Sequence, residues 1–356
     1  MGKKIFSLLA ILTVVSICLT ACSRQRGGEG NISPATELSG AGATFPLILY
    51  QKWFDVYYSE KGIKVNYQGI GSGGGIQQLI AKTVDFGATD VPMNEEEENK
   101  ISSVIHIPTA LGAVVVAYNL SGNLKIKFDP SLIVDIFLGN VTKWNNPKIQ
   151  NLNPLISLPD QAITVVHRSD GSGTTFTFTE YLSKVSLLWK EKVGTGKSVN
   201  WPIGLGGKGN DGVAGLIKQI PGSIGYVELI YAVQNNLSCG IIKNKLGNFT
   251  EATLESVSKA AFMELPANLR VSITDTNASQ GYPICTFTWL IVYKEQNYNG
   301  RTLAQAKSLY NLLWWVIHEG QSYNESLQYG KLSPTAVAKA EALINSMTYN
   351  GGFVFK

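Results

Sequence analysis

Short apolar runs alternate with helix-like stretches along most of this chain, and several of the junctions are glycine-rich turns that open straight into a helix. That alternation argues for an α/β fold with mostly parallel sheet, arranged twice over. The spacing predicts strands from Ile63 to Tyr67, Thr83 to Gly87, Ile163 to His167, Ile224 to Val227 and Phe287 to Tyr293. A further run, Ala113 to Tyr118, is apolar enough to be buried on both faces. Helical periodicity covers Leu47 to Tyr58, Gly74 to Ala81, Leu132 to Leu138, Phe176 to Leu188, Asp211 to Gln219, Leu303 to His318 and Pro334 to Ser346. Trp314 and Trp315 sit in one of these helices and read as core. About 320 residues take part, comfortable for two α/β domains and large for a single core.

The junctions carry the chemistry. Arg168-Ser169-Asp170-Gly171-Ser172-Gly173-Thr174-Thr175 supplies a fixed cation, hydroxyls and unhindered amides ahead of a predicted helix. A helix N-terminus presents free N–H groups and a partial positive charge, so this segment suits a tetrahedral anion without a metal. Gly40 to Pro46, with Ala43, Thr44 and Phe45, precedes a second helix. Gly69 to Gly75 precedes a third, with Ser72 at a plausible N-cap. Thr83 to Asp90 ends a strand on a carboxylate, where open α/β sheets place ligands. Any one such turn is commonly a packing device; the weight lies in their coincidence.

Gly69, Gly71 and Gly74 formally satisfy the dinucleotide fingerprint, yet that reading leaves the other anion-suited turns unexplained. Gly204 to Gly209 is no P-loop, because Gly209 follows Lys208 where a magnesium-holding hydroxyl belongs; a structural or hinge loop is expected there. His106, His167 and His318 are scattered, without metal-ligand spacing or a nucleophile elbow, and no cofactor is implied. Ser172 has no identifiable general base; Asp170 is expected to orient the Arg168 guanidinium, while His167 points off the opposite face of its strand.

The chain begins with Lys3 and Lys4, an apolar run from Ile5 to Ile17, and then Leu19-Thr20-Ala21-Cys22. This pattern predicts a signal peptide over residues 1–21 and a lipid-carrying Cys22, with residues 22–37 as a flexible tether. The alternative is a plain signal peptide with Cys22 incidental. Cleavage removes two lysines and no other charge, so the net charge of +4 falls to +2, which gives no reason to expect nucleic acid. Cys239 and Cys285 are the thiols left in the fold; they could pair as a disulfide in an exported protein or stay separate and buried.

The ordered motifs Gly40-Ala41-Gly42-Ala43-Thr44-Phe45-Pro46, Val65 to Ser72, Val84 to Ala88, Asp170 to Thr174 and Trp201 to Gly212 resemble the phosphate-binding proteins of bacterial ABC phosphate importers. The resemblance is close from Leu38 to Asn236, looser around Phe287 to Tyr293, and weak over Cys239 to Tyr282. It implies a two-lobed periplasmic-binding-protein fold of type II character, with ligand in the cleft and two crossover strands near Val115 and Thr286. One lobe would hold residues 38–115 with 286–356, the other 116–285.

Carried over motif by motif, the resemblance assigns phosphate contacts to Ala43, Thr44, Phe45, Ser72, Asp90, Arg168, Ser172, Gly173 and Thr174, with Asp170 behind Arg168. Asp90 would accept the proton that phosphate keeps and sulfate lacks. The chain departs from the family pattern at Gly73, where a second serine is common, at Thr89, and at His167, where a second arginine can occur. The implied partners are inorganic phosphate, a membrane permease with its cytoplasmic ATPase, and the membrane through a lipid; the expected state is an exported, lipid-anchored monomer. The rival of another class is an exported phosphatase or phosphoryl-transfer enzyme using the same cradle. A receptor for another oxyanion is a third possibility.

Overall fold

A computed structural model describes residues 35–355 of the chain; the predicted signal peptide and Cys22 lie outside them. The order begins β1 (Glu37–Gly42), α1 (Leu47–Lys61), β2 (Lys64–Gly69), α2 (Ser72–Ile80), β3 (Phe86–Thr89), α3 (Glu95–Glu98) and β4 (Val104–Tyr118). It continues through β5 (Lys127–Phe128), α4 (Pro130–Phe137), α5 (Pro147–Leu152), β6 (Thr164–Arg168), α6 (Gly173–Val185), α7 (Leu187–Lys192), β7 (Leu205–Gly207), α8 (Gly209–Gln219), β8 (Ser223–Glu228) and α9 (Leu229–Gln234). The remainder is β9 (Ser238–Cys239), β10 (Ile241–Lys243), β11 (Phe249–Thr250), α10 (Leu254–Ala260), β12 (Cys285–Tyr293), α11 (Leu303–Ile317), α12 (Pro334–Asn345) and the small hairpin β13 (Thr348–Tyr349) with β14 (Gly352–Phe353).

Nine strands join in the order β2-β1-β3-β12-β4-β8-β6-β7, with β9 beside the end of β4. The expectation of a mostly parallel sheet holds only for its wings: β2-β1-β3 and β8-β6-β7 are parallel, whereas β12 and β4 run antiparallel to their neighbours. Local periodicity reports that a segment is a strand but not its direction, which is set by the long connections. β4 pairs with β12 from Val104 to Ala113 and with β8 from Val114 to Tyr118, so one strand threads both wings.

Only the second half of β4 was predicted, because Pro108 interrupts its first half. The register between β4 and β12 shifts at Thr288/Trp289, opposite this proline. A bulge there accommodates a residue that cannot donate to the ladder. β3 starts three residues later than expected, since Lys82 adopts φ 57° and Thr83 donates its N–H back to Gln78 at the end of α2. The helix expected through Leu188 divides at Ser186, whose extended backbone and hydroxyl cap α7.

The core is aromatic on the first wing, where Tyr50, Trp53, Phe54 and Tyr57 of α1 are buried at helical spacing. Gly62 ends α1 in the left-handed region and returns its N–H to Tyr58. Trp315 is buried, whereas Trp314 is half-buried and stacks on His318. Cys239 and Cys285 are free thiols.

Candidate functional site

Four helix N-termini meet where the wings touch. α1, α2, α6 and α8 begin at Leu47, Ser72, Gly173 and Gly209, each after a turn that leaves the end of a strand. The contacts between them are direct. Gly173 N–H of α6 donates to Ser72 Oγ of α2 at 3.1 Å, and Asn210 N–H of α8 donates to Thr44 Oγ1 before α1 at 3.2 Å. With their dipoles converging, these ends form a positive, donor-rich pocket.

On the first wing, Ala43, Thr44 and Phe45 are buried. Tyr231 donates its hydroxyl to Thr44 O at 2.6 Å, and Tyr329 donates to Phe45 O at 2.6 Å. In a planar trans peptide the N–H lies opposite the C=O, so anchoring the Thr44 carbonyl fixes the direction of the Phe45 N–H. Ser72 is not the N-cap expected of it: Gly71 holds that position at φ 84°, and Ser72 is the first helical residue. Its hydroxyl oxygen instead accepts N–H groups from Asp90 and Gly173, each at 3.1 Å.

Asp90 directly follows β3 and is only 2% exposed. Thr288 of β12 donates to Asp90 Oδ1 at 2.8 Å, and Ser72 Oγ lies 3.3 Å from Oδ2. Burial pushes this carboxyl up to about 7, against the opposing pull of Thr288, Arg168 and Ser72. A group poised there can act as either hydrogen-bond acceptor or donor near neutral pH.

On the second wing, Arg168 ends β6 and is buried. Its Nε and Nη2 donate to the two oxygens of Asp170 at 2.8 and 2.5 Å, and Nη1 reaches Thr174 Oγ1 at 3.3 Å. The Asp170 fork therefore fixes the guanidinium plane. Burial alone would raise the Asp170 carboxyl, but Arg168 and the Gly209 N–H, at 3.0 Å, hold it below the usual range. Ser172 caps α6, accepting the Thr175 N–H at 3.0 Å, which leads Gly173 and Thr174 into the pocket. His167 stacks on Trp201 with ring centroids 4.8 Å apart, off the face that carries Arg168, as its strand phase requires.

The structure places Thr44, Phe45, Ser72, Asp90, Arg168, Ser172, Gly173 and Thr174 at these helix ends with Asp170 behind Arg168, whereas the N–H and C=O of Ala43 are taken by Ala88 O and the Tyr67 hydroxyl. It adds three that were missed. Asn210 is fully buried; its Nδ2 donates to Thr44 Oγ1 and Thr174 Oγ1, both at 3.1 Å. Thr288 holds Asp90. Glu228 is fully buried, accepts the Ile230 N–H at 2.8 Å, lies 3.3 Å from the Tyr329 hydroxyl oxygen, and is pushed well above the carboxylate range by burial. Asn210 follows the Gly204–Gly209 loop, so the loop read as structural places a side chain in the pocket. A polar residue at the start of a helix was the signal for it; nothing local marks Thr288 or Glu228.

At the rim, Lys197 Nζ lies 2.5 Å from Glu97 Oε1, and Arg270 reaches Met93 O and Glu98 Oε1, each at 2.6 Å. Arg270 brings the segment before β12, where the motif resemblance is weak, beside Asp90 and Thr286. Among the described residues no cluster of three or more His, Cys, Asp or Glu side chains could hold a metal ion.

The model of the PBP superfamily domain matches residues 29–312. The phosphate-binding protein PstS of Pasteurella multocida is 43% identical over 315 residues, covering 86% of this chain and 90% of that protein. PstS of Xylella fastidiosa strain Temecula1 is 40% identical over 356 residues, covering 95% and 96%. A solved structure of a putative phosphate ABC transporter substrate-binding protein with bound phosphate, from Clostridium perfringens, superposes with a TM-score of 0.62 at 17% identity, over 83% of this chain and 100% of that one, and so shares the two-lobed fold. Matched by that domain model over most of its length and by these relatives nearly end to end, the chain belongs to the PstS phosphate-binding proteins of the PBP superfamily.

Proposed function

We propose that this protein is an extracytoplasmic receptor that captures inorganic phosphate and delivers it to the permease of an ABC importer driven by a cytoplasmic ATPase. The observation that carries the reading is the meeting of four helix N-termini around a buried Arg168 and an Asp90 poised near neutrality. Donors without a metal suit a tetrahedral oxyanion, and one carboxyl suits an oxyanion that retains a proton. The names of the relatives point to the same ligand and the same kind of transporter.

In this reading the ligand set is the Ala43, Thr44 and Phe45 turn, Ser72, Asp90, Arg168, Ser172, Gly173 and Thr174, with Asp170 bracing Arg168. Ser172 is the hydroxyl a phosphoryl-transfer mechanism would call on; its oxygen caps α6 and no general base hydrogen-bonds to it, so binding rather than turnover is assigned. The lobes divide into residues 38–115 with 286–356 and residues 116–285; the partner change in β4 between Ala113 and Val114 supports the first boundary, and the start of β12 at Cys285 the second. The protein acts as a monomer, tethered to the cell envelope through lipidated Cys22. Among the described residues no helix is long and apolar enough to cross a membrane.

Calorimetric titration of mature protein stripped of bound anion, first with phosphate and then with sulfate at pH 7.5, tests the reading. Stoichiometric phosphate binding without a sulfate response is expected. Silence toward phosphate, or turnover of a phosphate ester, overturns it. Loss of membrane association in Cys22→Ser tests the anchor.

A further inference from the structure

We infer that Asn210 is a positioning residue that forces the Thr44 and Thr174 hydroxyls to donate to the anion. A hydroxyl oxygen has two acceptor sites and one proton. Thr44 Oγ1 accepts both the Asn210 backbone N–H at 3.2 Å and its Nδ2–H at 3.1 Å. Thr174 Oγ1 accepts the second Nδ2–H of Asn210 at 3.1 Å and Arg168 Nη1–H at 3.3 Å. With their acceptor sites filled by N–H groups, both hydroxyls keep a proton that they donate to no protein group in the structure, and that proton is the one left for a ligand.

The orientation of the amide is fixed. Asn210 Oδ1 accepts the Glu228 N–H at 2.9 Å, so a flip would set an NH2 group against an N–H and a carbonyl oxygen against two oxygens that already accept. The side chain is fully buried. Thr44 precedes α1 on the first wing and Thr174 belongs to α6 on the second, and one amide thus sets the hydroxyl protons on both sides of the pocket. Without it each hydroxyl can rotate to whichever neighbour accepts, and the ligand loses two oriented donors.

The inference rests on phosphate being the ligand, and the unmodified protein titrated with phosphate tests that separately. Asn210→Ala is expected to weaken phosphate binding about 10- to 100-fold, the worth of two hydrogen bonds. In a Thr44→Val/Thr174→Val background, where the hydroxyls are gone, the same substitution should cost threefold or less. A merely structural asparagine would cost the same in both backgrounds. Asn210→Asp, of equal size but offering an acceptor where the amide donates, should bind phosphate more weakly than Asn210→Ala and regain affinity as pH falls and the new carboxyl takes up a proton. It serves in place of the alanine variant if that fails to fold. If unmodified protein binds phosphate while the Asn210 variants bind within threefold of it, or if the cost is equal in both backgrounds, the positioning role is wrong and the phosphate reading stands. If unmodified protein binds no phosphate, the ligand reading itself fails.

Discussion

Two carboxyls at the helix ends, Asp90 from the first wing and Asp170 from the second, are in opposite electrostatic states. Asp90, at the end of β3, has hydroxyl and backbone neighbours and is pushed up to about 7. Asp170, after β6, is clasped by Arg168 and stays below the ordinary carboxylate range. Both sit among helix N-termini, and burial alone would raise both, Asp90 the more because it is the more deeply buried, so burial does not bring Asp170 down. The bidentate guanidinium does. A carboxylate locked to arginine serves as scaffold, whereas one left to hydroxyls remains able to exchange a proton with whatever it faces.

The largest effect should come from removing the cation. Arg168→Ala strips the pocket of its one buried guanidinium and leaves Asp170 uncompensated, and phosphate affinity is expected to fall about 1000-fold or more by calorimetry. A loss below tenfold would mean the second wing is not the electrostatic anchor. Next, Asp90→Asn should admit sulfate while weakening phosphate about 10- to 100-fold. The pH dependence has a definite sign. Because Asp90 is raised to about 7, it gains a proton as pH falls through that value and becomes a donor. Sulfate binding by the unmodified protein should therefore strengthen from pH 8 to pH 5, and Asp90→Asn should flatten that profile. A flat profile in the unmodified protein would show that Asp90 does not discriminate by proton.

Asp170→Asn keeps the shape but removes the charge that holds Arg168, and about a tenfold loss of phosphate affinity is expected. Equal losses from Asp90→Asn and Asp170→Asn, with no sulfate gained in either, would erase the distinction between the two carboxyls. The smallest effect belongs to the rim. Lys197→Ala removes the partly buried pair with Glu97 and should change phosphate affinity by threefold or less, mainly through faster release in stopped-flow measurements.

Sequence alone disclosed the turns and left the partners hidden. Thr44, Ser72, Arg168 and Gly173 lie in glycine-rich junctions whose helix-start chemistry is written in adjacent residues, and Asp90 ends its own strand. Thr288 is one hydroxyl in the apolar strand β12, and only the pairing of β12 with β3 sets it against Asp90. Glu228 closes β8, and its contact with Tyr329 spans about a hundred residues of chain. Asn210 was visible within a motif, but its role depends on threonines contributed by two other helices. The fold followed the same division: elements showed in local periodicity, while the antiparallel centre of the sheet depended on connections that periodicity does not encode.

At one point where the wings meet, backbone lies directly against backbone. Gly73 donates its N–H to Gly171 O at 2.9 Å, and a side chain at Gly71 would collide with Asp170 Oδ2 and Gly171 O. Side chains can change rotamer to suit a slightly larger guest; a peptide group has no such slack. The pair of glycine turns therefore forms two close-set jaws between the wings. A free oxyanion small enough to sit between the helix ends is expected to let them meet. A phosphate monoester carries an extra substituent in place of one oxygen's open side and is expected to hold them apart, so it is measured and released for its size, independently of its charge.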